Sequence, residues 1–290
     1  MVSKVDQHAE QIISEYLQGK SPLELGSRYG VSSGTIRNVL KRCNVPLRGR
    51  NHSARKYTWN DKFLDIINSP EKAYVLGFFY ADGCNHQSTN RWLITVTDKE
   101  ILHKIAAAMD STMIFDQAEG RVGRFFKGHT VKTAKTQYTL RISSPHLCER
   151  MTALGAPPKK TGITRWPDHS QIPRHLTWHF LRGLMDGDGY IITGLAKKNN
   201  NPVITVGWCA DDHLAKGIVD WLNLVGIHAT LRDRGSIHEV VVAGRLQATE
   251  LLELLYKDST IHMDRKRAKY DKFLDDVVVW SSTSGLITTA

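Results

Sequence analysis

The chain contains 290 residues and has a formal net charge of +10. This length allows two or three domains with a substantial core, and the positive charge favours a polyanionic partner. No apolar run of about 18 residues is present to span a membrane, and no apolar signal region opens the chain. The scattered cysteines form no Cys-x-x-Cys pair, which argues against a zinc cluster and predicts a reducing, intracellular compartment. They are Cys43, Cys84, Cys148 and Cys209.

Residues 6–46 predict three short helices, and we assign residues 1–46 to an all-α helix-turn-helix domain. The second helix has clear start signals, with Ser21 as N-cap, Pro22 in the first turn and Glu24 at the capping-box position. Gly30-Val31-Ser32 predicts the turn before the third helix. The apolar positions expected to face the core are Ala9, Ile12, Ile13, Tyr16, Leu17, Leu23, Leu25, Tyr29, Ile36, Val39 and Leu40.

The third predicted helix has a polar, basic outer face of residue types that reach bases and phosphates in a DNA major groove. From Leu25 to Asn60 the chain has eight Lys or Arg residues and no acid, and we assign residues 47–58 to a basic linker. A small helical bundle with a solvated face is the alternative. The charge run favours DNA, because it suits a phosphate backbone. The predicted contacts are Thr35, Arg37, Asn38 and Lys41.

Two later segments, Ala73–Gly83 and Phe180–Gly189, each predict a buried helix, because they are apolar on nearly every side. Each has an interior glycine, Gly77 or Gly183, at a cost of about 1 kcal/mol. We expect these glycines to lie where two helices pack closely, since a missing side chain allows close approach.

Both segments end in Asp-Gly, and the aspartates Asp82 and Asp188 are 106 residues apart. Gly83 and Gly189 are predicted to be the left-handed residues that end each helix. The helix dipole disfavours a carboxylate in the last turn, and a bound cation would offset that cost. For either aspartate alone, a solvated residue at a helix end is an equal alternative, but the repetition favours a functional pair.

The segments after each apolar helix follow one order, which is two strands, a helix, two strands and a closing helix. This order predicts an α+β fold of two αββαββα repeats, residues 59–172 and residues 173–290, the second with a C-terminal tail. In the first repeat the predicted strands are 91–97, 113–115 and 137–143, and the predicted helices are 99–109 and 145–154. In the second the strands are 190–193, 202–208, 228–234 and 238–243, and the helices are 212–225 and 246–256.

Both apolar helices resemble the LAGLIDADG motif of homing endonucleases. The resemblance rests on Gly77, Gly183, Ala81-Asp82-Gly83 and Gly187-Asp188-Gly189, and it extends over about residues 60–275. It implies a monomer with pseudosymmetric repeats, the motif helices at the centre and the sheets forming a saddle on double-stranded DNA.

The resemblance also implies the chemistry of the site. Asp82 and Asp188 would be catalytic metal ligands, one for each DNA strand, sharing two or three divalent ions that we expect to be Mg²⁺. Lys160 and Lys266, each 78 residues after its aspartate, match a catalytic family lysine near the scissile phosphate, where an ammonium stabilises charge. A plain phosphate-contacting or solvated lysine is an equal alternative, and Lys159 is the alternative to Lys160.

Outward positions of the strands, which alternate with the core face, are the predicted DNA contacts of the repeats. The segment 121–135 has five Lys or Arg residues and no acid. We expect this long loop to embrace the duplex; a disordered basic loop is the alternative. The predicted contacts are Gln137, Thr139, Arg141, Thr230, Arg232 and Arg234.

These features predict a single-chain, Mg²⁺-dependent, site-specific endonuclease that makes a staggered double-strand break in a long DNA target. The resemblance further implies a mobile element, such as an intron, in a microbe, an organelle or a phage. An RNA maturase or a DNA-binding regulator without cleavage is the alternative, with RNA as the partner of the maturase. Retention of both aspartates favours cleavage, and a dual endonuclease-maturase stays open.

Overall fold

A computed structural model of the protein describes residues 5–47, 57–120, 125–126, 129–130, 135–198 and 200–283. The chain divides into two compact units, Met1–Thr58 and Trp59–Ala290. Most of the predicted linker 47–58 and most of the predicted loop 121–135 lie outside the described residues. None of the helices in the described ranges is long and apolar enough to cross a membrane.

The N-terminal unit contains three helices, α1 (Ala9–Leu17), α2 (Pro22–Tyr29) and α3 (Ser33–Arg42). The capping box of α2 is confirmed: the Ser21 hydroxyl accepts from the Glu24 amide at 3.2 Å, and the Ser21 amide donates to the Glu24 carboxylate at 2.7 Å. The unit has a core of its own, whose buried members are Val5, Ile12, Tyr16, Leu25, Ile36, Val39 and Leu40.

Two of the core predictions for this unit are wrong. Leu17 is 71% exposed and Leu23 is 70% exposed. Leu17 is the last residue of α1 and Leu23 the second residue of α2. Each follows directly after a buried residue, Tyr16 or Pro22, so each lies on the solvent-facing side of its helix.

The first half of the C-terminal unit has a four-stranded antiparallel sheet in the order β1-β2-β6-β3. The predicted order αββαββα is present, with a further two-stranded pair inserted between β3 and β6. The elements are α4 (Pro70–Asp82), β1 (Gly83–His86), β2 (Arg91–Val96), α5 (Lys99–Ala108), β3 (Asp116–Ala118), β4 (Phe125–Phe126), β5 (His129–Thr130), β6 (Gln137–Ser143) and α6 (Pro145–Ala153).

The second half has the equivalent sheet order, β7-β8-β10-β9, also antiparallel. Its elements are α7 (Thr177–Asp188), β7 (Gly189–Leu195), β8 (Pro202–Ala210), α8 (Asp212–Leu224), β9 (Thr230–Asp233), β10 (His238–Ala243), α9 (Arg245–Tyr256) and α10 (Asp264–Thr283). The predicted α+β class and element order are thus observed in the described residues.

Two strand and helix predictions need correction. The predicted strand 113–115 is not a strand; Met113 and Phe115 pack against the core, and the ladder with β6 begins only at Asp116. Part of the predicted C-terminal tail forms α10, Asp264–Thr283, a helix of 20 residues. One side of α10 is buried, as at Phe273, and the other side is exposed, as at Val278.

The helices α4 and α7 pack against each other at the centre of the unit, and both interior glycines lie at the crossing. A Cβ at Gly77 would lie 2.0 Å from the carbonyl oxygen of Phe180, and one at Gly183 would lie 2.1 Å from that of Tyr74. The expectation that these glycines permit close helix packing is therefore met by the geometry.

The two glycines after the helices have a different role from the one expected. Gly83 has φ −81° and ψ 151°, and Gly189 has φ −90° and ψ 174°, so both are extended and not left-handed. Each begins a strand directly after the helix. A Cβ would lie 2.3 Å from the Phe79 ring at Gly83 and 2.7 Å from the Met185 backbone at Gly189. Space, not a positive φ, requires glycine there.

Candidate active site at the ends of the central helices

The last turns of α4 and α7 remain in contact, and this brings the two motif aspartates together. A Cβ at Gly187 would lie 2.2 Å from the Ala81 Cβ and 3.4 Å from a carboxylate oxygen of Asp82. Asp82 is half-buried and Asp188 is exposed. Both carboxylates therefore lie at the negative ends of adjoining helices, where each is destabilised.

The electrostatics of the pair show that the ionised form of both carboxylates is disfavoured. Burial raises the pKa of Asp82 to about 6, and the charge of Asp188 raises it as well. Although Asp188 is exposed as a residue, the surrounding protein partly desolvates its carboxylate and so raises its pKa, with a further contribution from Asp211. A cation between the carboxylates would remove this penalty, so the residues fit a divalent metal.

The donor set suits a metal that keeps other ligands. Among the described residues, no group of three or more His, Cys, Asp or Glu side chains is placed to hold a metal ion. Mg²⁺ is bound in proteins through one or two carboxylates and otherwise by water and substrate phosphates. Asp82 and Asp188 would be its protein ligands.

The two predicted lysines lie against the C-terminal ends of the motif helices. The Lys160 ammonium donates to the carbonyls of Tyr80 at 2.5 Å and Ala81 at 2.8 Å. These are the residues two and one before Asp82. Lys159 is exposed, so the geometry selects Lys160.

Lys266 makes the equivalent contacts at the end of α7, and it makes more of them. Its ammonium donates to the carbonyls of Met185, Asp186 at 2.8 Å and Gly189 at 2.6 Å. The side chain is buried. Because an ammonium has three N–H groups, these three carbonyls engage all of them. Lys160 thus donates to two carbonyls at the end of α4, while Lys266 donates to two carbonyls in the last turn of α7 and to that of Gly189 in β7; the Met185 carbonyl also accepts from the Gly189 amide.

The two lysines differ in which of the two motif aspartates they influence more. Lys266 is the strongest cation opposing the raised pKa of Asp82, and Lys160 is the strongest at Asp188. Burial lowers the pKa of Lys266 to about 8 and lowers that of Lys160 as well. We name Asp188 with Lys160 site A, and Asp82 with Lys266 site B.

Site A opens into a depression of about 240 Å³ beside the sheet of the second half. Its polar lining is Lys160, Thr161, Thr164, Asp188 and Asp211. Asp211 is a site residue that the sequence reasoning missed. Its position just before α8 is typical of an N-cap residue, and this common role gave no reason to assign it to the site.

A buried polar network next to Lys266 was also missed. One Asp186 oxygen accepts from the Tyr74 hydroxyl at 2.8 Å and from the Met263 amide at 2.7 Å. Arg182 donates to the Ile261 carbonyl at 2.9 Å. The network ties α7 to the segment that leads to Lys266. The sequence did contain a signal for this network, namely Arg182 and Asp186 inside an otherwise apolar helix. Such residues are rarely buried without partners.

The predicted DNA contacts in the first sheet lie on its solvent-facing side. Gln137 and Arg141 are exposed, and Arg141 pairs with Asp116 at 2.9 Å. Thr139 is half-buried and shares a hydrogen bond of 2.9 Å with Thr95. A phosphate would therefore compete with an acid for the arginine.

The second sheet shows the same pattern. Thr230 and Arg232 are exposed in β9, while Arg234 lies just after the strand. Glu239 pairs with Arg234 at 2.6 Å and lies 4.0 Å from Arg232.

In the N-terminal unit the outer side of α3 is only partly as expected. Arg37, Asn38 and Lys41 are exposed. Thr35 is half-buried, and its amide and hydroxyl contact the Ser32 hydroxyl at 3.1 Å and 3.0 Å. Thr35 is therefore engaged in capping α3, and the other three side chains are the ones on this face that solvent or DNA can reach.

Two repeats of equivalent element order thus meet through paired helices, α4 and α7, each of which ends in an aspartate. Residues 178–267, less than half of the chain, match the family described as the LAGLIDADG-like domain. The aligned structure of the LAGLIDADG homing endonuclease I-GzeII in complex with its DNA target has a TM-score of 0.51 at 11% identity, covering 76% of this chain and 93% of that one.

Two further structures are similar. The LAGLIDADG meganuclease I-AabMI, bound to uncleaved DNA, has a TM-score of 0.48 at 14% identity, covering 74% of this chain and 92% of that one. I-SmaMI, bound to an uncleaved DNA target in the presence of calcium ions, has a TM-score of 0.45 at 10% identity, covering 76% and 94%. No curated protein matches the sequence. The likeness to I-GzeII, with a TM-score of 0.51 at 11% identity, shows the fold alone.

Proposed function

We propose that this protein is a site-specific endonuclease that makes a staggered, Mg²⁺-dependent break in a long double-stranded DNA target. The observation that carries the proposal is the pair Asp82 and Asp188 at the adjoining ends of α4 and α7, each with a raised pKa and a lysine nearby. The shared fold with I-GzeII, a homing endonuclease solved with its DNA target, supports it.

Mg²⁺ at this site would supply Lewis acidity for phosphodiester hydrolysis. Asp82 and Asp188 would hold the divalent ions, each carboxylate serving one DNA strand. Lys160 and Lys266 hold the helix ends, and thereby the carboxylates, in place. Lys266 has its N–H groups engaged by carbonyls, so its role is positioning and long-range charge. Lys160 has two carbonyl acceptors among the described residues, which leaves one N–H for a phosphate oxygen.

The N-terminal unit extends the DNA contact in this proposal. Its three helices act as a helix-turn-helix, and Arg37, Asn38 and Lys41 contact the major groove and its phosphates. A single chain that contains both sites needs no second copy, so we expect a monomer. The mobile-element origin and the intracellular location follow from the resemblance and the unpaired cysteines.

The test is cleavage selection from a library of long duplexes with Mg²⁺, followed by mapping of both cut strands. Asp82→Asn and Asp188→Asn should each block one strand or, if the ions are shared, both, while binding persists. Double-strand cleavage at the wild-type rate in either variant would contradict the assignment. Tight DNA binding by the wild type without any cleavage would favour a regulator, and selective binding of structured RNA a maturase.

A further inference from the structure

Asp211 occupies the N-cap position of α8, yet its side chain does not cap the helix. An N-cap aspartate ordinarily accepts from an amide in the first turn of its own helix. Here one carboxylate oxygen accepts from the Gly162 amide at 2.8 Å. The other accepts from the Thr164 amide at 3.2 Å and from the Thr164 hydroxyl. The carboxylate thus serves a segment of the chain that is 47 to 49 residues away in sequence.

The segment held in this way carries Lys160. Lys160 is two residues before Gly162, and its ammonium contacts the end of α4. Thr164 is only 4% exposed, so its amide and hydroxyl would be costly to leave without an acceptor. Asp211, Lys160 and Asp188 line the same depression. The carboxylate therefore determines where the lysine lies relative to Asp188.

We propose that Asp211 is a positioning residue that holds Lys160 in site A. The consequence for cleavage rests on the proposed function; the consequence for the lysine itself does not.

Site B has a weaker counterpart, which makes the support asymmetric. Asp98 is the N-cap of α5 and also makes no cap hydrogen bond. It lies 3.8 Å from Arg265, the neighbour of Lys266, and that arginine side chain is 57% exposed. An exposed ion pair contributes little, and Lys266 is held by its own carbonyl contacts. Loss of Asp98 should therefore leave Lys266 in place.

The direct test is the acylation rate of each lysine. The intact chain is acylated in the absence of DNA, and mass spectrometry monitors the reaction at each lysine. In Asp211→Asn we expect Lys160 to react about tenfold faster, which corresponds to about 1.4 kcal/mol, while Lys266 is unchanged. Thr164→Val removes a hydrogen bond without a change of charge and should raise the Lys160 rate about threefold, on the same scale. Thr164→Ser should keep the wild-type rate.

Controls separate positioning from general loosening. Ser144→Ala removes the cap of α6, where the hydroxyl accepts from the Leu147 amide at 3.0 Å, and should leave the Lys160 rate unchanged. Asp98→Asn should leave the Lys266 rate unchanged. A wild-type Lys160 rate in Thr164→Val would mean that Asp211 acts only through its charge, and an equal rise at Lys266 would mean general destabilisation. Either result overturns the proposal.

Cleavage provides an independent arm. Asp211→Asn should slow one strand about tenfold more than the other, so that nicked DNA accumulates, whereas Ser144→Ala should affect both strands equally. Equal slowing of both strands by Asp211→Asn contradicts the proposal. If the wild type cuts no DNA, the endonuclease function fails, and the acylation result still decides the role of Asp211.

Discussion

Alanine at Gly77 or Gly183 is the smallest change that tests the helix crossing. The new Cβ would lie 2.0 Å from the Phe180 oxygen or 2.1 Å from the Tyr74 oxygen, whereas a carbon–oxygen contact needs about 3.3 Å. These oxygens belong to helix backbones, so relief requires that the helices separate by roughly 1 Å. Overpacking of this kind costs about 1–3 kcal/mol or more, against a gain in helix propensity of about 1 kcal/mol.

The thermal midpoint and the cleavage rate should both fall in each variant. A net loss of up to about 2 kcal/mol lowers the midpoint by up to roughly 8 °C for a domain of this size. A displacement of about 1 Å at the carboxylates lowers the rate about a hundredfold. Calorimetry and a single-turnover cleavage assay on the same preparations measure the two effects.

The control is Gly34→Ala in α3, where the nearest atom to a Cβ is at 3.5 Å, an ordinary contact. Its midpoint should be unchanged or higher. Because both glycines lie at one crossing, the double variant should lose less than the sum of the single losses. Wild-type stability and rate in both alanine variants, or strict additivity, would refute the crossing argument.

Three other changes test the N-terminal unit, a buried histidine and the two lysines. Deletion of residues 1–56 removes ten Lys or Arg and four acidic residues, a net six positive charges. The slope of log K for DNA binding against log salt should become flatter by about 0.9 for each phosphate that is no longer bound. An unchanged footprint and slope would reject DNA binding by this unit. Burial lowers the pKa of His179 from 6.5 to about 4. The contribution of this histidine to the free energy of unfolding is therefore fully present above pH 6.5 and is lost as the pH drops toward 4, by about 2 kcal/mol between pH 7.5 and pH 5. His179→Gln, which keeps an acceptor for Arg182, should remove that part of the denaturant-measured pH dependence, and an identical pH dependence would show that His179 titrates normally. Lys266→Met should lower the thermal midpoint more than Lys160→Met, because Lys266 is buried and donates to more carbonyls than Lys160. The reverse order would contradict this role.

The sequence by itself determined the elements and the principal candidate residues. The αββαββα order, the capping box at Ser21 and the buried central helices follow from periodicity and local hydrogen bonding, which act over a few residues. The aspartates Asp82 and Asp188 were identified because they repeat after equivalent apolar helices. The 78-residue offset likewise identified Lys160 and Lys266 as equivalent, which agrees with their parallel contacts at the two helix ends.

Only the tertiary structure decided how these residues act on one another. The extended Gly83 looks like a left-handed cap in sequence, because the side chain of Phe79 that excludes a Cβ there gives no local signal. Asp211 looks like an N-cap, because its partner Thr164 is 47 residues away. The pairing of Lys160 with Asp188 depends on the crossing of α4 and α7. Contacts of this kind depend on packing between distant segments, and periodicity carries no information about them.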